Sequence, residues 1–178
     1  HPSLSPTDEF TAGYELWDRG NLTLVPKRPG MIAREYLREA LKNGLLLDQQ
    51  LGANAFKYGM AAGTDTHNAL VAAEEDNFYG KFASSEPSAG RADENAMKFG
   101  DRAVKVWERT AAGHTPAWAT ENTREALWDA MERKETYATS GPRMTVRFFG
   151  GYDFEAADAD ARKVAAAGYA KGVPMGGD

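Results

Sequence analysis

Phe56-Lys-Tyr-Gly-Met-Ala-Ala62 is a short run of aromatic and small apolar residues, bounded by Asn54 before it and Gly63 after it. It leads directly into Gly63-Thr-Asp-Thr-His-Asn68. A run of this length between turn residues reads as a buried strand. In extended chain, residues two apart point the same way, so the Asp65 carboxylate and the His67 imidazole are expected to project together from the strand's end. A carboxylate oxygen with an imidazole nitrogen suits Zn, Mn or Fe, and C-terminal strand ends are where open α/β sheets and barrels carry their sites. Two ligands do not complete a shell. Zinc in a catalytic site takes three protein ligands plus water, so at least one more must come from elsewhere. The plainer reading has Asp65 capping the following turn and His67 packing locally.

Outward from this run, helices are predicted on both sides. From Ile32 to Leu51 the apolar residues Ala33, Tyr36, Leu37, Ala40, Leu41, Leu45 and Leu47 recur mostly at three- and four-residue steps, with Gly44 as a break and Gly52 as an end. Residues 68 to 80 read as a loop passing into one or two helical turns, and 83 to 95 as a loop. Ala96, Phe99, Ala103, Val106 and Trp107 lie on one helical stripe, so 93 to 110 is predicted helical with Gly100 as a weak point. Asn122 followed by Glu125 has the spacing of a capping box, which predicts a helix from Thr123 to about Glu135. Thr136 to Ser140 is β-prone, Gly141-Pro142 turns, and Met144, Val146 and Phe148 alternate as in a half-buried strand. The alanine-rich stretch from Phe154 to Ala170 reads as helix. The first 30 residues, with Pro2, Pro6, Pro26 and Pro29, read as irregular chain. The order helix, strand, helix, helix, strand gives an α/β class, with residues after about 140 as a second unit.

A chain of 178 residues has the size of one ordinary domain. With 42% hydrophobic and 26% charged residues it reads as globular and soluble, and its longest aliphatic cluster, Leu45 to Leu47, is far too short to span a bilayer. A net charge of −5 argues against a phosphate-backbone binder, so the expectation is no nucleic acid and no membrane, with cations as the more fitting small partners. The absence of cysteine excludes disulfides, thiolate metal sites and thiol nucleophiles, but does not fix the compartment.

Other candidate residues have stronger structural readings. His1 begins the chain and reads as a mobile terminus, and His114 sits in a Gly/Thr/Pro loop and reads as exposed. Glu74-Glu75-Asp76 reads as a solvated face, and Arg143 as a surface arginine rather than an oxyanion clamp. Trp17, Trp107, Trp118 and Trp128 are scattered, which fits packing better than base or sugar stacking. No Gly-x-Ser-x-Gly elbow or phosphate-cradling glycine loop occurs, so a serine hydrolase or nucleotide-binding loop is unsupported.

Taken as an ordered set, several stretches are more specific. Asn54-Ala-Phe-Lys-Tyr-Gly-Met-Ala-Ala-Gly-Thr-Asp-Thr-His67, followed by Ala73-Glu-Glu-Asp-Asn-Phe-Tyr-Gly80, resembles the signature of the bacterial family catalogued as domain of unknown function 3604. Glu121-Asn-Thr-Arg-Glu-Ala-Leu-Trp-Asp-Ala-Met131, Thr136-Tyr-Ala-Thr-Ser-Gly-Pro-Arg-Met144 and Arg147-Phe-Phe-Gly-Gly-Tyr-Asp-Phe154 resemble its later motifs. The opening Ser-Pro-Thr-Asp-Glu-Phe and closing Gly-Val-Pro-Met-Gly-Gly-Asp match too, so the resemblance runs from end to end.

That family is similar to the PHP superfamily, named for polymerase and histidinol phosphatase domains, whose members fold as distorted barrels with metal ions at the C-terminal strand ends. The resemblance implies a partial PHP-like (β/α) barrel, with helices packed on a short sheet, over residues 1–140, and the start of a following segment over 141–178. It implies that Asp65 and His67 are ligands to divalent metal ions, Zn, Mn or Fe. The superfamily's early His-x-His motif and its middle Glu and His ligands are not in these residues. The chain is therefore expected to be a C-terminal portion of a catalytic region, with an incomplete metal site and, by itself, no activity.

The implied activity is metal-dependent hydrolysis of a small-molecule substrate, a phosphoester first, through metal-activated water. A carbohydrate-related substrate on the same scaffold and a non-catalytic structural or interaction module are the alternatives. Uncovered barrel edges would favour a homo-oligomer. Any export signal would lie upstream of residue 1, which leaves localisation open.

Overall fold

Residues 93 to 110, whose apolar spacing predicts one helix, fold instead as a β-hairpin. β1 (Asn95–Phe99) and β2 (Arg102–Lys105) pair antiparallel, with Met97 opposite Val104 and Phe99 opposite Arg102. The cause is Gly100-Asp101. A two-residue connection with glycine first, here at φ +67°, reverses the chain in the sense that strand twist prefers. Phe99, Val104 and Val106 are then all buried, and Val106 opens a short 3-10 turn, Val106–Arg109. The hairpin belongs to the first of two units in the computed structural model, His1–Lys57 with Asp65–Ala112; the second is Tyr58–Thr64 with Gly113–Asp178. The structure describes residues 17–69, 82, 88–90, 92–109, 113–139 and 143–178. Most of the expected helical turns at 68 to 80, residues 83–87 and 91 of the expected loop at 83 to 95, and residues 1–16 of the irregular start lie outside them.

In the first unit the Phe99 ring lies against Gly20, within a loop that Asn21 closes. The Asn21 Oδ1 accepts from the Thr23 and Val25 amides, both at 3.0 Å, and from the Thr23 hydroxyl at 2.7 Å. This is the local turn chemistry asparagine favours. Arg19 ties the loop to the hairpin: Nη1 donates to the Ala103 carbonyl at 2.6 Å, and two N–H groups clasp the Glu108 carboxylate at 2.8 and 2.7 Å. Glu108 holds the guanidinium pKa above its ordinary value.

The helix expected over 32 to 51 divides into a 3-10 turn, Ile32–Arg34, and α1, Leu37–Leu51. It ends as predicted at Gly52, which takes φ +71° and donates its amide to the Asp48 carbonyl at 2.8 Å. Gly44 does not break it. It is buried, and the Asn54 side chain packs where a Cβ would stand.

The second unit is organised by α2, Arg124–Glu132, close to the predicted span. The cap falls one residue later than expected: Thr123 Oγ1 accepts from the Ala126 amide at 3.3 Å. The third helical position is then Ala126, so no carboxylate returns to close a box. The helix buries Ala126 and Ala130. It ends in two reversed bonds, Lys134 N–H to the Met131 carbonyl at 3.0 Å and Glu135 N–H to the Ala130 carbonyl at 2.8 Å, with Lys134 at φ +59°. That Schellman ending fixes the direction of Glu135. The chain then runs antiparallel beside 114–118: Trp118 donates to the Glu135 carbonyl, Tyr137 to Pro116 and Thr139 to His114, at 2.9 to 3.1 Å.

Residues 56 to 62, whose composition predicts a buried strand, do not form one. None of these residues is buried, and none belongs to a strand. Threonine hydroxyls take the place of ladder bonds: the Thr115 Oγ1 accepts from the Ala62 amide at 2.8 Å and donates to the Ala62 carbonyl at 2.6 Å, and the Thr136 hydroxyl donates to the Met60 carbonyl at 2.9 Å. Proline at 116 removes one amide from the neighbouring segment.

Of the strand expected over Met144 to Phe149, only its end pairs: β3 (Phe149–Gly150) is antiparallel to β4 (Val173–Pro174). Residues 143 to 148 are exposed. The buried Tyr137 hydroxyl holds this stretch, donating to the Met144 carbonyl at 2.9 Å and accepting from the Val146 amide at 3.0 Å. The alanine-rich segment forms two helices, α3 (Ala156–Ala159) and α4 (Val164–Lys171). The protein is thus mixed α/β, with four helices and two small antiparallel sheets among the described residues, which form no closed barrel. No helix among them is long and apolar enough to cross a membrane.

Candidate functional site

Asp65 opens the first unit's second segment in the left-handed region, at φ +52°, a conformation that aspartate tolerates better than most side chains. The turn aims its carbonyl at the following histidine, and His67 Nδ1 lies 2.8 Å from the Asp65 carbonyl oxygen. A carbonyl only accepts, so Nδ1 carries the proton and the lone pair of the neutral ring sits on Nε2. The Asp65 carboxylate is near the same ring, with Oδ1 3.9 Å from Nδ1. Both side chains are more than half exposed, while Thr64, Thr66 and Asn68 between and beside them are half-buried. The His67 ring rests on Phe82, centroids 5.0 Å apart, and the two residues form an isolated parallel bridge.

A ligating histidine normally donates its second ring N–H to a carbonyl or carboxylate, which fixes tautomer and orientation, and His67 is held in that way. Oxygen and imidazole donors together suit Zn, Mn or Fe. The pair fits such an ion as part of a shell. No group of three His, Cys, Asp or Glu able to hold a metal is gathered among the described residues. His1 and Glu74-Glu75-Asp76 lie outside those residues. His114, in the second unit, is half-buried rather than exposed, and its backbone exchanges bonds with Thr139. Arg143 is exposed.

A second group of polar side chains, in the second unit, was missed by sequence reasoning. Glu135 is 4% exposed. Its Oε2 accepts from Arg133 Nε and Nη2 at 3.1 and 2.9 Å, and its Oε1 accepts from the Tyr169 hydroxyl. The Tyr169 oxygen in turn accepts from Arg147 Nη2 at 2.7 Å. Arg147 stacks on Trp118, its guanidinium carbon 4.3 Å from the ring centroid, and the Trp118 Nε1 donates to the Val146 carbonyl at 3.0 Å. The only signal available in the sequence was the aromatic and basic residue types themselves, which come from four separate stretches.

The chain belongs to the family described as Protein of unknown function (DUF3604), whose model matches residues 1–178. No curated protein and no solved structure matches it.

Proposed function

Starting from membership of that family, we propose that the chain supplies part of a metal-dependent hydrolytic site on a PHP-like scaffold, with Asp65 and His67 as two of the ligands and a phosphoester as the substrate class. The observation that carries the reading is the Nδ1–H of His67 on the Asp65 carbonyl, which leaves the Nε2 lone pair as the imidazole's donor, while the Asp65 carboxylate stands 3.9 Å from Nδ1 of the same ring. A divalent ion bound there would supply Lewis acidity and lower the pKa of water toward neutrality. The protein's own part is to orient the imidazole: the left-handed turn at Asp65 and the Phe82 ring hold it. At least one further ligand must come from outside the described residues.

The test is metal content, with a panel of phosphoesters, on the intact protein and on Asp65→Asn and His67→Ala variants. Loss of bound Zn, Mn or Fe with loss of turnover is the expected result. Unchanged metal content and unchanged activity in both variants would remove these residues from the site and favour a non-catalytic module. Metal content that falls while a phosphoester panel stays silent in every form would keep the ligands and overturn the substrate class.

A further inference from the structure

We propose that the cavity beside α2 and α4 in the second unit binds a small oxyanion, a carboxylate or phosphate group, with Arg147 as its principal contact. The cavity is about 290 Å³, and Trp118, Thr120, Arg133, Glu135, Arg147 and Tyr169 line it. That is the size of a small organic acid or phosphate rather than of a cofactor.

Charge bookkeeping within this lining decides the class of ligand. The one carboxylate, Glu135, is buried and engaged by Arg133 through two N–H groups and by the Tyr169 hydroxyl. The second guanidinium, Arg147, meets no carboxylate among the described residues: its one protein acceptor there is the Tyr169 oxygen. Arginine stays charged at any working pH, so the lining carries one uncompensated positive charge.

The same guanidinium is held in place before any ligand arrives. It lies 4.3 Å from the Trp118 ring centroid, 5.2 Å from that of Tyr169 and 5.7 Å from that of Phe149. Trp118 is itself anchored through Nε1 to the Val146 carbonyl, and Tyr169 through its hydroxyl to Glu135. Nε and Nη1 of Arg147 have no protein acceptor among the described residues, and Tyr169 takes one of the two Nη2 hydrogens. The fork edges of a planar guanidinium pair Nη2 with Nε and Nη2 with Nη1, so one edge keeps two donors matched to two oxygens. Little side-chain entropy remains to be lost when an oxyanion takes them. The site shares no residue with Asp65 and His67, so it stands or falls apart from the metal reading.

The test is a titration of the intact chain, labelled with ¹⁵N, at constant ionic strength, with inorganic phosphate and separately with benzoate. The Trp118 indole N–H peak, identified by its loss in Trp118→Phe, is the reporter. A saturable shift of that peak is expected, and the Arg147→Met variant should weaken it by about tenfold or more, the scale of one lost charge-assisted pair. Arg147→Lys keeps the charge and the stem but loses the fork, and is expected to fall between the two; it also serves if Arg147→Met does not fold. A response to phosphate alone assigns phosphate, a response to benzoate alone assigns carboxylate, and mutual competition assigns the shared oxyanion. No saturable shift with either probe, or an equal shift in wild type and both Arg147 variants, overturns the proposal.

Discussion

A single methyl group at position 20 tests how the first unit is packed. A Cβ built on Gly20 would stand 2.0 Å from Phe99 Cδ1 and 2.4 Å from both Cγ and Cε1, whereas ordinary contact begins near 3.4 Å. The ring or the loop must therefore give by well over 1 Å. The ring has nowhere to go: Phe99 is 1% exposed and its neighbours Val104 and Val106 are buried with it. Gly20 does not take a positive φ, so Gly20→Ala carries no backbone strain and gains about 0.4–1 kcal/mol from a less flexible unfolded chain. Overpacking a filled core costs about 1–3 kcal/mol or somewhat more, and a clash this deep belongs at the upper end, so the expected net loss is about 2 kcal/mol. Amide hydrogen exchange in β1 and β2 reads this directly, with protection falling about 30-fold. Phe99→Ala alone should cost about 3–5 kcal/mol. In the double variant the new methyl enters the vacated space, so the two losses should fall short of additivity by about 1 kcal/mol or more. Unchanged protection in Gly20→Ala, or strict additivity, would refute the contact.

Three shorter expectations follow from other contacts. Thr123→Ala removes the oxygen that accepts the Ala126 amide and should cost about 1 kcal/mol by thermal or urea unfolding, with Thr123→Asn close to wild type; equal stability of all three would show the cap to be unimportant. Asp158 has its pKa held below the ordinary carboxylate range, first by the Glu155 amide and then by Lys171, so its contribution is present above the unfolded value and lost as pH falls through the lower folded one. Acid titration followed by exchange in α3 and α4 should show that loss, and Asp158→Asn should remove the dependence. On α1, Leu37, Leu45, Leu46 and Leu51 are 49–74% exposed, which predicts association that grows with concentration; light scattering that reports a clean monomer over a wide range would contradict it.

How far the fold was legible depended on which local signal competed with which. α2 was readable because a polar cap, good helix formers and the Ala126/Ala130 spacing all agree. The hairpin was misread because Phe99, Ala103, Val106 and Trp107 satisfy a helical period by accident, while the true pattern changes sense at Gly100-Asp101: Met97 and Phe99 alternate before it, Val104 and Val106 after it. Taking glycine as a weak point in a helix rather than as the first residue of a turn decided the error. The run 56 to 62 failed differently. Its composition is that of a strand, but the partner segment carries Pro116, and the hydroxyls of Thr115 and Thr136 satisfy backbone groups that a strand would have paired. No local property of the run announces that substitution. The Arg147 cluster was unreadable because Trp118, Glu135, Arg147 and Tyr169 are brought together only by the ribbon at 114–118 and 135–139 and by the docking of α4.

Asp65 and His67 lie close together, but not through the alternation of an extended strand. Alternation in an extended strand would set the two side chains parallel and leave the imidazole tautomer undetermined. Instead Asp65 turns at φ +52°, and its own carbonyl, rather than its carboxylate, takes the nearer approach to Nδ1, 2.8 Å against 3.9 Å. The aspartate therefore has two separable tasks, a backbone turn that selects the tautomer and a carboxylate that stands beside it. Alanine would disturb both, because the left-handed region costs a residue without a short polar side chain roughly 1–2 kcal/mol. Asparagine tolerates that region and keeps the carbonyl where it is, but replaces the charged oxygen donor with an amide. Asp65→Asn should thus leave the His67 ring in its Nδ1–H form, seen in its ¹⁵N shifts, while weakening any bound metal. If the tautomer itself changes in Asp65→Asn, the carboxylate rather than the carbonyl orients the ring, and the division of labour argued for Asp65 is wrong.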